Sequence, residues 1–270
     1  MIKKYLGIIL KFFGYRISKT RSAKYKSNYD FYYKTFITLK NPVIFDVGAD
    51  KGVFINLFSK MFEDPTIHAF EPNEKTASDL FKIYKLNKNI TINQIALGDE
   101  ISDKKFHRSY VSGSSGFYKR SVNTRHYKRK IISNNINDNN LYSDSPIVNI
   151  NTLDSYCEKN SIDHIDILKI DTEGYESKVL EGAKRMLQSN KIDVLQLELN
   201  HSSVYMDDHN VPISKSFYEI EKNLIPYNYR LVLLDGDRVQ NLHENFNWQS
   251  ELIYVASKVM IKNSKFFNEV

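Results

Sequence analysis

The chain has 270 residues, 41% of them hydrophobic and 26% charged, with a formal charge of +6 and one cysteine. That length can bury a sizeable core and suits one large α/β domain better than two small ones. A lone Cys157 excludes an intrachain disulfide, a cysteine zinc cluster and a secreted disulfide scaffold, so a reducing cytoplasm is the expected location.

The basicity is local. Residues 1–40 hold ten Lys and Arg against one acid, Asp30, whereas the remainder carries 28 basic and 31 acidic residues. Nucleic acid is therefore not an expected partner. Within this arm Ile2, Leu6, Ile9, Leu10, Phe13 and Ile17 recur at helical spacing, with Lys3, Lys4, Lys11 and Arg16 around the rest of the helix. Two readings stand side by side: peripheral contact with an anionic membrane through residues 1–20, on its inner face, or a helix packed on its own domain. The apolar stretch Tyr5 to Leu10 is far below the roughly 20 residues of a membrane span and lacks a cleavage site, so neither a transmembrane helix nor a signal peptide is expected.

After the arm, from about residue 41 to 270, apolar runs alternate with helix-like segments, which predicts a largely parallel sheet covered on both faces. Strands are expected near Val43–Val47, Thr66–Phe70, Thr91–Ala96, Ile165–Ile170, Asp193–Glu198, Arg230–Leu234 and Leu252–Ala256. Helices are expected near Val53–Phe62, Glu74–Leu86, Leu153–Asn160, Ser177–Gln188 and Ser214–Leu224. The long polar region from Asp99 to Ile147 reads as a loop or lid. Its basic stretch near 113–145, with Lys119, Arg120, Arg125, Lys128, Arg129 and Lys130 around Tyr118 and Tyr127, suits either a solvated loop or a flap binding an anionic acceptor.

Three corners at successive strand ends carry the chemistry. Val43 to Val47 is a short apolar run interrupted by Asp46, and Gly48-Ala49-Asp50-Lys51-Gly52 follows. Gly48 and Gly52 remove Cβ atoms where a ligand would approach the main chain. His68-Ala69-Phe70-Glu71-Pro72 puts an acid at the end of the second strand, where an open parallel sheet holds ribose hydroxyls. Pro72 stiffens that turn. At Ala96-Leu97-Gly98-Asp99, Leu97 is suited to lie against an adenine ring and Asp99 to receive its amino group.

The most specific run is Ile165-Asp166-Ile167-Leu168-Lys169-Ile170-Asp171-Thr172-Glu173-Gly174-Tyr175-Glu176. It reads as a central strand followed by three carboxylates, Asp171, Glu173 and Glu176, of which part is plain helix capping. Lys169 within an apolar strand requires an acidic partner if buried. Leu195 to His201 supplies another strand with a polar end.

Taken together, these residues resemble the FkbM family of S-adenosylmethionine-dependent methyltransferases. The resemblance rests on Asp46-Val47-Gly48-Ala49 with Gly52, Glu71-Pro72, Ala96-Leu97-Gly98-Asp99, Thr152-Leu153-Asp154, the Lys169-Ile170-Asp171-x-Glu173-Gly174-x-Glu176 core, Val179-Leu180-x-Gly182-Ala183 and Glu198. It covers about residues 43–200. Asp50 departs from it, standing where the family usually has asparagine. The resemblance implies a Rossmann-like, seven-stranded class I methyltransferase fold and, commonly, O-methylation of a hydroxyl on a sugar or other natural product. Asp46, Gly48, Ala49, Asp50, Gly52, Glu71, Pro72, Leu97, Asp99 and Asp171 would then hold S-adenosyl-L-methionine.

A sugar hydroxyl is a poor nucleophile, so a base must take its proton; Asp171 and Glu173 lead, and His201 is a weaker candidate. The carboxylates would also suit Mg²⁺ or Ca²⁺, but no spacing compels a metal and none is expected. A nicotinamide dehydrogenase lacks its G-x-G-x-x-G here, and no phosphate-binding G-x-x-x-x-G-K-[ST] loop exists. The remaining alternative is a non-catalytic, membrane-associated nucleotide- or glycan-binding protein with a residual pocket.

Overall fold

The structure is a computed structural model, described here over residues 31–136, 140–200, 205–209, 212–213, 217–236 and 249–262. The chain divides into two compact units, Met1–Thr38 and Leu39–Val270. In the first, residues 31–36 are helical; the amphipathic segment expected at 1–20 lies outside the described residues. Among the described residues no helix is long and apolar enough to cross a membrane.

The second unit is built on one sheet. Its strands are β1 (Val43–Val47), β2 (Thr66–Phe70), β3 (Ile90–Asn93), β4 (Ile165–Ile170), β5 (Ile192–Asn200), β6 (Tyr229–Gly236) and β7 (Gln249–Ala256), in the order β6-β7-β5-β4-β1-β2-β3. Of these seven only β7 runs against the others, pairing antiparallel with both β5 and β6. The seven-stranded, mostly parallel sheet expected from the sequence is thus present. From β1 the chain works outward through β2 to β3, then returns to β4 and works the other way, so the strand order reverses between β1 and β4. That reversal opens a crevice at the carboxyl ends of the strands, where open α/β sheets bind ligands. β4 is buried along its whole length, as a central parallel strand must be.

The helices are α1 (Val53–Met61), α2 (Glu74–Tyr84), α3 (Arg125–Ser133), α4 (Leu153–Lys159), α5 (Glu176–Glu181), α6 (Lys184–Gln188), α7 (Phe217–Leu224) and α8 (Ser257–Lys262). They cover both faces. On one face, Tyr156 of α4 packs edge-on against Phe45 and Phe70 with ring centroids 5.7 and 4.8 Å apart, and its hydroxyl reaches His68 Nδ1 at 2.9 Å. Phe45 and Phe70 are fully buried, each contributing about 1.5–3 kcal/mol over exposure. On the other face, Phe54 of α1 lies 4.6 Å beneath the Lys169 ammonium. Cys157, in α4, is buried, and burial pushes its thiol up to about 12, which leaves it unreactive.

Two expected elements differ for visible reasons. The helix expected at Ser177–Gln188 is broken into α5 and α6 because Asp154, from α4, caps a new helical start: its carboxylate accepts from Arg185 N at 2.7 Å and Met186 N at 3.0 Å. The strand expected to reach Ala96 stops at Asn93, and Ala96–Leu97 pairs instead with the strand Ile147–Asn151 in a separate small sheet.

The Asp99–Ile147 region is not an open loop. It contains strands at Ser102–Lys105, Arg108–Ser109, Lys119–Arg120 and Tyr142–Asp144 as well as α3, capped by Thr124 accepting from Tyr127 N. Two apolar clusters hold it. Phe106 and Phe117 pack with Ala96, Ile150 and Tyr175, while Tyr127, Ile131, Leu141 and Tyr142 form a second cluster of insertion residues alone. The insertion is a folded roof.

Candidate active site

A cavity of about 330 Å³ lies over the carboxyl ends of β1, β2 and β4. Its floor and walls include Gly48, Ala49, Asp50, Glu71, Pro72, Leu97 and Asp171, and its roof includes Phe106, Gly113, Ser115 and Phe117 of the insertion. The three corners picked out in the sequence therefore meet in one space, although not every residue in them faces it.

The first corner turns on two glycines with left-handed φ, +82° at Gly48 and +73° at Gly52. Both leave room for the protein itself. A Cβ at Gly48 would overlap the main-chain carbonyl of Asp171, and one at Gly52 would sit 2.8 Å from Leu80 Cδ2 of α2. Gly48 lines the cavity, while Gly52 lies outside its lining. Asp46 is fully buried and also stands outside the lining; it is the cross-strand neighbour of Lys169 and pairs with it at 3.2 Å. Its contribution to the cavity is through Lys169.

Asp50 adopts φ +42°, a conformation that Asp and Asn tolerate better than other side-chain-bearing residues. The change from the family's asparagine is thus conformationally neutral. Its carboxylate accepts from the Ser112 hydroxyl at 2.6 Å, tying the first corner to the roof.

Glu71 is the acid at the second corner. It accepts from the main-chain N–H of Asp50 and of Asn73, both at 2.9 Å. Burial pushes it up to about 7 against the pull of those two donors. A buried carboxylate in a cavity wall that has already gathered two donors is suited to further hydroxyl donors, as a ribose offers. With Leu97, Ala96 and Phe70 supplying apolar walls, the lining fits a nucleoside.

Asp99, expected to receive the adenine amino group, faces a lysine here. It stands outside the cavity lining and is tied to Lys178 at 2.8 Å, with the Tyr175 hydroxyl at 3.4 Å, because α5 and the residue at its N-cap present both to the third corner. Burial opposes its ionisation, but the Lys178 ammonium holds it below the usual carboxylate range. Leu97, two residues earlier, does face the cavity.

The far wall holds the charged cluster. Lys169, 4% exposed, reaches Asp46 at 3.2 Å, Asp171 at 3.5 Å and the Gly48 carbonyl at 3.2 Å. Burial pulls the ammonium toward neutrality, but the two carboxylates outweigh it and hold it above the ordinary lysine value. Asp171 keeps 35% of its side chain exposed and lines the cavity. Its burial is likewise outweighed, by the Lys169 ammonium first and by the adjoining Glu198 carboxyl next, so it is held below the usual range.

Glu173 has a left-handed φ of +51°, a strained conformation for a non-glycine residue. Its carboxylate is clamped by the Arg120 guanidinium and by the Tyr205 hydroxyl at 2.7 Å. Burial raises it although Arg120 and Lys130 oppose the rise. Glu176 is a capping acid: one oxygen accepts from Thr172 N at 3.0 Å, the Thr172 hydroxyl at 3.2 Å and Gly174 N at 2.8 Å. It fixes the turn that carries Asp171 and Glu173. His201 lies outside the described residues.

Tyr205 is a participant that sequence reasoning did not name, while Arg120 entered it only as part of the basic stretch and Glu198 only as a motif residue. Arg120 and Tyr205 are register partners in a three-stranded sheet joining Lys119–Arg120, Tyr205–Met206 and Pro212–Ile213. Arg120 N donates to the Tyr142 hydroxyl at 2.7 Å, which seats this strand on the roof. The basic stretch of the insertion thus divides. Arg120 is buried and Lys130 partly so, whereas Lys119, Lys128 and Arg129 are exposed.

A family model for the methyltransferase FkbM domain matches residues 46–231. The 2-O-methyltransferase NoeI of Sinorhizobium fredii is 25% identical over 152 residues, a match covering 56% of this chain and 61% of that protein's length. Among solved structures, a putative S-adenosylmethionine-dependent methyltransferase of Listeria monocytogenes superposes with a TM-score of 0.45 and 7% identity over 84% of this chain and 96% of that one. A SAM-dependent methyltransferase of Aquifex aeolicus gives 0.41 and 13% over 84% and 88%.

Proposed function

The chain belongs to the FkbM methyltransferase family, and from that premise we propose that it O-methylates a hydroxyl of a sugar or glycan intermediate. S-adenosylmethionine, the cofactor of the family, supplies when bound an activated methyl group whose departure leaves the bonding electron pair on sulfur. The chain's own residues bind, orient and remove a proton. Glu71 accepts the ribose hydroxyls, Leu97 and Ala96 flank the base, and the Gly48–Asp50 corner faces the amino-acid end.

The observation that carries the reading is that Asp171, a partly exposed carboxylate, lines the same cavity as Glu71. An acceptor hydroxyl beside Asp171 gives up its proton to a carboxylate oxygen as its bond to carbon forms, a contribution of roughly a hundred- to ten-thousand-fold for a positioned base. Glu173, held by Arg120 and Tyr205, orients the acceptor beside it. The roof excludes water, which would otherwise compete for the methyl group. The Sinorhizobium relative is described as a 2-O-methyltransferase, which supports oxygen as the atom methylated.

A neutral hydroxyl compound is the better acceptor than an anionic one. Arg120 is committed to Glu173, and Lys130 bonds Ser114 within electrostatic reach of Glu173, Glu198 and Asp171, so the inward cations of the roof already face carboxylates. The test is transfer of a labelled methyl group from S-adenosylmethionine to extracts of host glycans and lipid-linked intermediates. Label in a base-stable methyl ether supports the reading; label confined to nitrogen or carboxyl groups, or to protein or nucleic acid, rejects it.

A further inference from the structure

We propose that Glu198 acts as a protonated acid, donating a hydrogen bond to Asp171 and so turning the free lone pairs of that carboxylate toward the acceptor hydroxyl. This rests on the reading of Asp171 as the proton acceptor, and it makes Glu198 a positioning residue.

The sheet register sets up the contact. Ile170 of β4 is paired with Leu197 of β5, so Asp171 and Glu198 follow side by side at the strand ends and their carboxyl groups face each other. On its other flank Glu198 is the antiparallel partner of Glu251 in β7. Three acids therefore stand in a row across the sheet, where like charges directly opposite one another are destabilising. Two carboxyl groups can hydrogen-bond to each other only if one holds a proton.

The cations decide which one. Lys169 is spread over Asp46, Asp171 and the Gly48 carbonyl, and Arg120 is paired with Glu173. Arg120 and Lys130 face Glu198 from the roof, but among the described residues neither forms an ion pair with it, and it is 7% exposed. Asp171 thus has the ammonium, and the proton belongs on Glu198. Burial, then Asp171, Glu173 and Glu251 facing it, all push Glu198 well above the ordinary glutamate value. Gln196, the register partner of Lys169, holds Glu251 through its amide at 3.0 Å and keeps that carboxylate turned along the sheet.

The sign of the pH dependence follows. With a raised value, Glu198 gives up its proton at a higher pH than an ordinary glutamate does. The pair then carries two negative charges and the orienting hydrogen bond is gone, so turnover falls at high pH.

The experiment compares Glu198→Gln, whose amide still donates, with Glu198→Ala, which cannot. Glu198→Ala is expected to lower kcat 10- to 100-fold with S-adenosylhomocysteine binding within threefold of wild type. Glu198→Gln is expected to recover at least tenfold of that loss and to remove the alkaline fall. Independently of turnover, the infrared difference spectrum of ligand-free wild type minus ligand-free Glu198→Gln should contain a protonated carboxyl band, with the Glu71 contribution cancelling between the two. Absence of that band, a Gln variant as impaired as a folded Ala variant, or an Ala variant as active as wild type overturns the proposal. Failure of the wild-type protein to methylate any hydroxyl counts against the proposed reaction instead, and leaves the infrared result to judge the proton on Glu198.

Discussion

Gly48 and the main-chain carbonyl of Asp171 approach so closely that no side chain fits between them. The first corner and the acidic turn are therefore one packed unit, although 123 residues separate them in the chain. The Asp171 N–H also donates to Val47 O at 3.0 Å. Gly48→Ala combines a left-handed φ with an overlap against backbone, and is expected to cost about 2–4 kcal/mol. Denaturant unfolding checks this. Wild-type stability in the variant would mean that the corner opens freely.

Glu71 makes cofactor affinity depend on pH. Its value of about 7 in the free protein means that the proton must leave before the carboxylate can accept two hydroxyl donors. Binding of S-adenosylhomocysteine is expected to weaken about tenfold per unit as pH falls below 7 and to level off above it. The stability sign is opposite: the folded state holds this proton between 4.5 and about 7 while the unfolded state does not, so Glu71 lowers stability as pH rises through that window. The full effect is about 3 kcal/mol, at roughly 1.4 kcal/mol per unit. Calorimetric titration from pH 5.5 to about 8 gives the first slope; an affinity flat across that range contradicts the assignment.

Asp171→Asn tests the base. Turnover should fall by about a hundredfold or more, while S-adenosylhomocysteine affinity stays within a few-fold because Asp46 remains to hold Lys169. Undiminished turnover with intact cofactor binding would remove Asp171 from that role.

Arg120→Met leaves the Glu173 carboxylate buried with the Tyr205 hydroxyl but no guanidinium. A loss of about 3–5 kcal/mol is expected, because removing one partner of a buried pair strands the other. Adding Glu173→Gln should recover part of it. If the two single losses simply add in the double variant, the pair is not coupled.

The arm makes a prediction of its own. Full-length protein should sediment with vesicles rich in acidic lipid more than a form lacking residues 1–20, and less so as salt rises. Equal sedimentation of the two forms rejects membrane contact through the arm.

How much of this was legible in the sequence depended on distance along the chain. β1, β2 and β4 were readable to the residue because each is a short apolar run closed by a polar corner. The buried lysine announced its need for acids, and Asp46 and Asp171 answer it. The capping share of the acidic turn falls to Glu176. What could not be read was which side of a corner a residue faces. Asp46 and Asp99 each sit in the right motif but turn to a lysine, since the choice of partner is made by the helix or strand packed alongside. The roof escaped for a different reason: its strands are two to four residues of polar sequence with no alternation, and only the Tyr127, Ile131 spacing marks α3. Glu198 was visible as a motif residue, but its neighbour Asp171 is set by strand register, which local sequence does not encode.

The cluster of Tyr127, Ile131, Leu141 and Tyr142 contains insertion residues alone, so its contacts can be broken and remade while the seven-stranded core stays intact. Such a unit opens at a free energy below that of global unfolding. Amide protons of α3 should accordingly exchange faster than those of β4, and the gap between the two rates measures how far the roof can loosen while the sheet stays folded.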